Sequence, residues 1–275
     1  MCAVANVNGD LARFVEFVRD RASTWYRPLP WRENINPYRV LVSEFMLQQT
    51  GVERVAGKYG AFLARFPDVG ALAGARLADV LAVWQGLGYN RRAVHLWKTA
   101  NAVVSGYGGR IPERKDELTA LPGIAHATAG AIIAFAYNRP AVFIETNIRR
   151  VFIHFFFEGR SQVKDLEILP LVEATLDGEN PRKWYYALMD CGAMLGRLSP
   201  NPNRRSSVYA KQAPFEGSDR QVRGRVIRSL LGDGPLTEKA LLLKLGVESS
   251  RLRRILAGLE GDGLIARKGQ SYQLP

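Results

Sequence analysis

Helical periodicity is the feature that most limits what this chain can fold into. Up to about residue 200, apolar residues recur three and four positions apart, and the alternating pattern of a half-buried strand is nearly absent. The breaks between these stretches are short and contain Gly, Pro or Asn, as in GLGYN and LPGIA. We therefore predict an all-α body, with helices at 10–24, 38–50, 77–84, 91–105, 127–137 and 147–157.

The charge of the chain favours a polyanionic partner. Thirty-eight Lys and Arg against 26 Asp and Glu give a formal net charge of +12, which suits nucleic acid or an anionic membrane surface. A merely soluble basic protein is the alternative. We see no signal segment and no apolar run near the ~18 residues of a membrane span. We therefore expect a cytoplasmic protein, associated with the nucleoid if the source is prokaryotic.

Cysteine and histidine usage predicts no metal site. The two cysteines, Cys2 and Cys191, cannot form a disulfide framework or a four-thiolate site. The three histidines are scattered without the spacing of metal ligands.

The last part of the chain has a different organisation. The stretch SPNPNRRSSVYAKQAPFEGS is polar, basic and without periodicity, so we predict a linker and place a domain boundary between 1–215 and 216–275. Three short helical patterns and a hairpin follow, which is typical of a winged helix. The helices are expected at 219–231, just after Thr237 and at 248–260, and the hairpin turns at Lys268-Gly269.

The role of this tail stays open on its own pattern. Winged helices usually bind DNA through the third helix, which here carries Arg251, Arg253 and Arg254. Many others dock proteins instead.

One carboxylate stands on an otherwise apolar helix face. In RVLVSEFMLQQT, Glu44 has Val40 and Leu41 one turn before it and Leu47 and Gln48 one turn after it. A charged group in such a place is usually paired or has chemistry to perform. The alternative is a structural glutamate bonded to a helix N-terminus.

A second stretch, ALPGIAHATAGAI, has a Pro-Gly corner that leads directly into a helix of small residues. A tight turn at a helix start points backbone N–H groups outward, which suits a phosphate oxygen. The signal is weak alone. It is sharpened by FIETN downstream, an apolar run that ends in Glu145 just before another helix.

With these motifs the chain resembles the helix-hairpin-helix DNA glycosylases, and most closely those of the MutY type that act on adenine. The resemblance covers roughly residues 8–200. It rests on LPWRENINPYRVLVSEFMLQQT, FPDVGALAGARLADVLAVWQGLGY, LPGIAHATAGAI, FIETNIRRV and ALMDCGAM. It implies a two-lobed helical fold with the DNA-binding hairpin and a catalytic carboxylate at the cleft, here followed by the small C-terminal winged-helix domain.

The resemblance also implies catalytic roles. Glu44 matches the general acid, which protonates a ring nitrogen of the leaving base; apolar neighbours help it to hold a proton near neutrality. Glu145 stands where the family has an aspartate that stabilises the cationic sugar. Its extra methylene implies a reshaped pocket or a changed role. Ala127 replaces the lysine of lyase-type relatives, so no Schiff base forms and an abasic site is the expected product.

Further residues are implied for DNA and base recognition. Gln48 and Tyr89 match side chains that wedge into the helix when a base is flipped, although Tyr89 could also be an ordinary core residue. Gln49 and Asn90 are candidates for contacts to base edges. The hairpin residues expected at DNA are Leu121, Gly123, Ala125 and Ala127. Ala125 replaces the second glycine of the usual Gly-Val-Gly and is expected to alter the phosphate contact.

The family often holds an iron–sulfur cluster through four cysteines, and none of them is present here. The matching positions are Gly196, Asn203, Ser206 and Gln212. We therefore expect no cofactor, and a loop at about 196–215 that is held by packing and hydrogen bonds. Arg204, Arg205 and Lys211 are its candidates for phosphate.

The resemblance therefore implies a monofunctional DNA N-glycosylase, which we expect to be a monomer that acts on double-stranded DNA with a mispaired or damaged base. Mispaired adenine is the first candidate. The winged helix replaces the Nudix-type domain that reads 8-oxoguanine in full-length MutY enzymes, so other bases stay open: uracil or thymine opposite guanine, or a damaged base. A non-catalytic lesion-binding protein is a further alternative. A winged-helix transcription regulator would need a palindromic site and a dimer surface, of which the sequence gives no sign.

Overall fold

A computed structural model describes residues 10–197 and 200–275 of the chain. Cys2 and Ser199, the first residue of the predicted linker, lie outside the described residues. The chain divides into two compact units. Unit 1 contains the described residues up to Val40, Glu113–Thr119 and Ile124–Lys211, and unit 2 contains Leu41–Pro112, Ala120–Gly123 and Gln212–Pro275.

Helices dominate both units, as predicted. In chain order they are α1 (Leu11–Arg21), α2 (Pro37–Leu47), α3 (Val52–Arg65), α4 (Val69–Ala73), α5 (Leu77–Trp84), α6 (Arg91–Tyr107), α7 (Lys115–Ala120), α8 (His126–Tyr137), α9 (Thr146–Phe156), α10 (Asp165–Thr175), α11 (Pro181–Leu195), α12 (Asp219–Asp233), α13 (Glu238–Leu245) and α14 (Ser249–Gly261).

The six helices expected in the body are confirmed, and their ends shift by three residues or fewer. The helix that carries Glu44 ends at Leu47, three residues earlier than expected, because Gln49 adopts a left-handed backbone with φ 55°. We did not predict α3, α4, α7, α10 and α11 individually. Two of them, α4 and α7, have only 5 and 6 residues, which is too short for a clear period.

Unit 1 is built around α9, which packs against α11 and α10, while α1 packs on α10 and α11. Aromatic rings fill the space between these helices. The Phe14 ring lies 5.1 Å from the centroids of both Phe152 and Phe156, and 6.3 Å from Trp184. Such edge and tilted contacts add to the area buried by the rings themselves. The N-terminal helix is thereby fixed to the helix that follows Glu145.

A buried ion pair crosses the same unit. Asp190, on α11, is 1% exposed and accepts two hydrogen bonds from Arg32, at 2.7 and 2.9 Å. Arg27 Nε donates to the same carboxylate at 2.5 Å. Three guanidinium N–H groups and the backbone N–H of Arg27 donate to this carboxylate, so it can remain charged inside the protein.

Unit 2 is built around α6, a helix of 17 residues that packs against α4 and α5. Trp84 is fully buried and stacks edge-on with Phe62 at 5.9 Å. Trp97, on α6, donates from its indole N–H to the carbonyl of Ala75 at 2.9 Å. The helix therefore serves as the spine on which the loops of this unit are arranged.

The tail has the three helices and the hairpin expected from its sequence. Its strands are β1 (Leu236–Thr237), β2 (Ala266–Lys268) and β3 (Ser271–Gln273), and they form an antiparallel sheet in the order β1-β3-β2. β1 has two residues and was not predicted. The tail belongs to the same compact unit as α6; the domain boundary at 215/216 stays a prediction.

Among residues 10–197 and 200–275, no helix combines the length and the hydropathy that a membrane span needs.

Candidate functional site

Glu44 lies where the buried face of α2 begins to open. Leu41, Phe45 and Met46 are 0% exposed, whereas Glu44 itself and Gln48, one turn later, are half-buried. The side chain of Leu41, one turn before Glu44, is therefore buried as expected, whereas that of Gln48, one turn after it, is only half-buried. A carboxyl at such an edge has apolar surroundings on one side and access for a substrate on the other.

The predicted wedge and base-contact residues lie on two tight turns with unusual backbone. Gln49 has φ 55° and Tyr89 has φ 48°, a left-handed conformation that costs a side chain with a Cβ about 1–2 kcal/mol. Gln49 is exposed, while Tyr89 and Asn90 are half-buried. Strain of this kind persists where surrounding contacts hold it, and it is frequent at functional sites.

Arg92 holds both turns together, and our sequence reasoning missed it. Its Nη1 donates to the carbonyls of Met46 at 2.7 Å and Gln48 at 2.5 Å, at the end of α2. Its Nη2 donates to Thr50 Oγ1 at 2.8 Å and to the Gly88 carbonyl at 3.0 Å. Burial lowers the pKa of Arg92 to about 10, and near neutrality the guanidinium is still charged.

The signal that could have found Arg92 was available. It lies on the apolar face of α6, one turn before Leu96, and is itself 7% exposed. An arginine on such a face is as informative as Glu44 on α2, because a buried charge requires partners.

Replacing Arg92 with Lys is expected to destabilise the protein by about 1–3 kcal/mol, since an ammonium group cannot reach both turns and leaves buried carbonyls without donors. Thermal or urea unfolding measures the change. Arg54→Lys is the matched control, because Arg54 is exposed on α3, and it should change stability by less than about 0.5 kcal/mol. Equal effects of the two substitutions would contradict the role given to Arg92.

The hairpin turn between α7 and α8 rests on the same spine. Gly123 has φ 77°, and a Cβ built on it would lie 2.6 Å from His95 Nδ1. Thr99 Oγ1 donates to the Pro122 carbonyl at 2.7 Å. Only glycine satisfies both the backbone and the close approach at position 123. Burial and the cations Arg91 and Lys98 lower the pKa of His95, so this support is uncharged near neutrality.

The exposed side of the hairpin presents three of the four predicted residues. Gly123, Ala125 and Ala127 are exposed, and Ala125, at the N-cap of α8, makes no side-chain capping bond. This arrangement leaves room for an anion at the helix start. Leu121, the fourth, is 5% exposed, so its side chain packs in the core, and a contact of this residue with DNA stays a prediction.

Glu145 occupies the N-cap of α9. Its Oε1 accepts from the backbone N–H groups of Asn147 at 2.7 Å and Ile148 at 2.9 Å, and its Oε2 accepts from Asn147 Nδ2 at 3.2 Å. Burial raises the pKa of Glu145, and these N–H donors and the guanidinium groups of Arg149 and Arg150 oppose the rise. The carboxylate is thereby held in one orientation by the helix that it caps.

The loop at the iron–sulfur positions does not fit a cluster. Such clusters are held by cysteine thiolates, and the amide and hydroxyl of Asn203 and Ser206 are buried here. Asn203 Nδ2 donates to the Thr146 carbonyl at 2.9 Å. A Cβ on Gly196 would lie 2.6 Å from Arg150 Nη1, so Arg150 takes the space beside that position. Hydrogen bonds within unit 1 tie the loop to α9.

The basic residues of this loop have different settings. Arg205 donates to the Phe157 carbonyl at 2.7 Å and to the Ile153 carbonyl at 3.1 Å. We therefore assign it to the structure of the loop, where its positive charge suits the C-terminus of α9. Arg204 and Lys211 are exposed and stay the candidates for phosphate.

The arginines of α14 are engaged by acidic residues of the tail. Arg251 Nε and Arg254 Nη2 donate to the two oxygens of Asp219, at 2.8 and 3.0 Å. Arg253 Nε donates to Glu238 at 2.7 Å. A DNA-reading helix would have to exchange these ion pairs for phosphates or bases, so DNA contact through α14 stays a prediction with a competing intramolecular use.

Comparison with known proteins agrees with this arrangement. Residues 42–169 match the model of the HhH-GPD superfamily base excision DNA repair proteins. The adenine DNA glycosylase of Mycolicibacterium smegmatis is 34% identical over 268 residues, which cover 88% of this chain and 90% of that protein. The chain spans about half (52%) of the adenine DNA glycosylase of Buchnera aphidicola subsp. Baizongia pistaciae, with 36% identity over 187 residues and 65% of this chain covered.

A solved structure of a thermostable thymine-DNA glycosylase superposes with a TM-score of 0.60 at 24% identity, over 70% of this chain and 91% of that one. This likeness shows the shared fold. From the relatives and the family model together, the chain belongs to the helix-hairpin-helix (HhH-GPD) superfamily of base excision DNA repair proteins, and within it to the MutY-like DNA glycosylases.

Proposed function

We propose that this DNA glycosylase removes mispaired adenine and leaves an abasic site without cutting the strand. The observation that carries the proposal is the position of Glu44, at the opening edge of α2 and followed by the strained turn at Gln49. An acid for a departing purine needs both an apolar side and access to a flipped base. The names of the adenine-specific relatives support the choice of base.

The absence of lyase activity is proposed from Ala127. This residue is exposed on the first turn of α8, at the position where lyase-type relatives have a lysine. A methyl side chain cannot form a Schiff base with the sugar, and β-elimination needs that intermediate. Hydrolysis alone then remains, and water is the acceptor of the sugar.

Glu145 is proposed as the carboxylate that stabilises the cationic sugar. Its capping bonds to α9 fix the anion in place, which limits the reorganisation needed as positive charge develops. We further propose that the protein works as a monomer. We also propose that it works without an iron–sulfur cluster, because hydrogen bonds close the loop at the cluster positions.

Glu145→Gln is expected to lower the single-turnover excision rate about 10²- to 10³-fold, because the amide keeps an acceptor for the helix but loses the negative charge. Glu145→Asp keeps both the charge and the cap and should retain most of the activity. A rate for Glu145→Gln within threefold of the wild type would remove Glu145 from the mechanism.

The pH profile gives an independent check on Glu145. The pKa of Glu145 is raised. Its active, charged form therefore appears at a higher pH than that of an ordinary glutamate, whose pKa is about 4.3. The acid limb of the excision profile should therefore lie above that value and disappear in Glu145→Gln. The free energy of unfolding depends on pH in the opposite direction to the excision rate. Protonated Glu145 contributes to stability at low pH, and this contribution is lost as the pH rises through the raised pKa.

The base is identified with labelled duplexes that carry A, T, U or a damaged base opposite G, 8-oxoguanine, C and T. Half of each reaction is heated in alkali, which breaks the strand at abasic sites. We expect breaks only after alkali, and only with mispaired adenine. Thymine excision opposite G would instead place the chain with the activity named for its structural neighbour, and uracil excision would also contradict the choice of adenine. Breaks without alkali would contradict the monofunctional assignment, and binding without any breaks would favour a lesion reader.

A further inference from the structure

The hydroxyl of Tyr89 is held by the C-terminal tail and by the linker that precedes it. Arg220, the second residue of α12, donates from Nη1 to Tyr89 Oη at 2.9 Å. The side-chain amide of Gln212 donates to the same oxygen. Arg220 belongs to the tail and Gln212 to the loop just before it, and both contact the residue expected to wedge into DNA.

The ring of Tyr89 is held as well as its hydroxyl. The guanidinium carbon of Arg92 lies 5.4 Å from the ring centroid, and that of Arg220 lies 5.7 Å from it. Both distances fall within the range of cation–π attraction. With the left-handed backbone at φ 48°, the side chain is fixed at its base, its face and its tip.

Arg220 is itself anchored by the linker and by the rest of the tail. Its Nη2 donates to the Ala213 carbonyl at 2.6 Å. The neighbouring Asp219 forms ion pairs with Arg251 and Arg254 of α14. These pairs fix the first turn of α12. The arginines that would form a DNA-reading surface in the tail therefore have a second use, which is to hold the helix start that carries Arg220.

A second tie joins the tail to the turn that carries Tyr89. Asp262, at the end of α14, accepts from Arg223 Nη2 of α12 at 2.5 Å. The Nε of Arg91, the first residue of α6, lies 3.5 Å from the other oxygen of Asp262. Because Arg91 follows Tyr89 by two residues, this ion pair restrains the same turn from its other end.

We infer that the tail positions Tyr89 for insertion into DNA, and that Arg220 is the positioning residue. The inference rests on the proposed function, because it takes Tyr89 as the wedge. Ordering a free side chain on binding costs conformational entropy. Holding the ring beforehand removes that cost from DNA binding.

The two donors also decide which kind of DNA atom the hydroxyl can meet. A phenolic oxygen accepts hydrogen bonds and donates one. Since Arg220 and Gln212 already donate to it, Tyr89 offers its proton to a third partner. The matching groups on DNA are acceptors, such as phosphate oxygens or the minor-groove atoms N3 of adenine and O2 of thymine.

The test uses the full chain and a duplex with a tetrahydrofuran abasic analogue, whose binding is measured by fluorescence anisotropy. Arg220→Met should weaken binding about 3- to 10-fold. Arg228→Met is the matched control, since Arg228 is exposed on the same helix and its loss removes the same charge. That control should change the Kd less than about twofold, and Arg220→Lys should restore most of the affinity.

Tyr89→Phe removes only the hydroxyl and provides the coupling test. We expect Tyr89→Phe to weaken binding and Arg220→Met to add less than twofold in that background, because the shared contact is already lost. A 2-aminopurine beside the abasic analogue reports unstacking, and its fluorescence rise should be smaller in Arg220→Met than in Arg228→Met.

Equal losses in Arg220→Met and Arg228→Met would overturn the inference, because they would show a contribution of charge alone. Additive effects of Arg220→Met and Tyr89→Phe would overturn it as well, and so would a lack of preference for the abasic duplex over an undamaged one. These measurements need no excision. If alkali reveals no abasic product from any base, the proposed function fails while the positioning role is still decided by binding.

Discussion

Glu44→Gln is expected to lower the single-turnover excision rate about 10²- to 10⁴-fold while DNA affinity stays within about twofold of the wild type. The amide has nearly the same shape as the carboxylic acid but no proton to give to the departing base. Because Glu44 is half-buried at the end of α2, the substitution also leaves the packed residues on either side in place. The rate is measured with enzyme in excess over labelled duplex, and affinity by anisotropy on the abasic analogue.

Glu173→Gln is the control for the change in charge. Glu173 is exposed on α10, and its replacement should alter neither the excision rate nor the affinity. Excision by Glu44→Gln within tenfold of the wild type would show that the proton comes from another group. A loss of both affinity and thermal stability would instead make Glu44 a structural residue of the α2 turn.

Asp190→Asn is expected to destabilise the protein by about 3–5 kcal/mol, the largest effect on stability among the substitutions considered. Asp190 is the shared partner of Arg32 and Arg27, and the side chains of Asp190 and Arg32 are both 1% exposed. Removing the carboxylate charge leaves a guanidinium buried without its counter-ion. The loss exceeds any net benefit of forming the pair, because it includes the full cost of the unpaired charge.

Urea unfolding, followed by circular dichroism, measures this change. The matched control is Glu113→Gln, which breaks the exposed pair between Glu113 and Arg139, with side chains 53% and 60% exposed. The control should cost about 0–1 kcal/mol. A loss below about 1 kcal/mol for Asp190→Asn would mean that water or a rearranged side chain compensates the arginines, and that the ion pair does not organise unit 1.

Much of the helical body could be predicted because its period is local. The apolar spacing around residues 77–84 predicts α5 without error at either end, and the hairpin of the tail follows from Lys268-Gly269 and its flanking residues. Helices such as α4 and α7 escaped prediction. At 5 and 6 residues, they are set by their caps and by packing on long helices, which a local pattern does not contain.

The candidate site divides in the same way. The carboxylates Glu44 and Glu145, the glycine at 123 and the missing cluster ligands could be read from residue types at given positions. The residues that hold these groups in place could not be read in this way. Arg92 holds two turns that are about 40 residues apart, and Arg220 reaches Tyr89 across 131 positions. The sequence also did not show that the Leu121 side chain is buried or that Arg205 donates to two backbone carbonyls of unit 1.

By itself the sequence determined the helical class, the identity of the chemical groups and the absence of thiolates at the cluster positions. These follow from side-chain chemistry and from periods that span only a few residues. The tertiary structure decided which charged side chains bind partners within the protein and which turns keep a strained backbone. Such choices depend on partners that are distant in the chain, since a buried guanidinium takes whichever carbonyls and carboxylates the fold brings within reach.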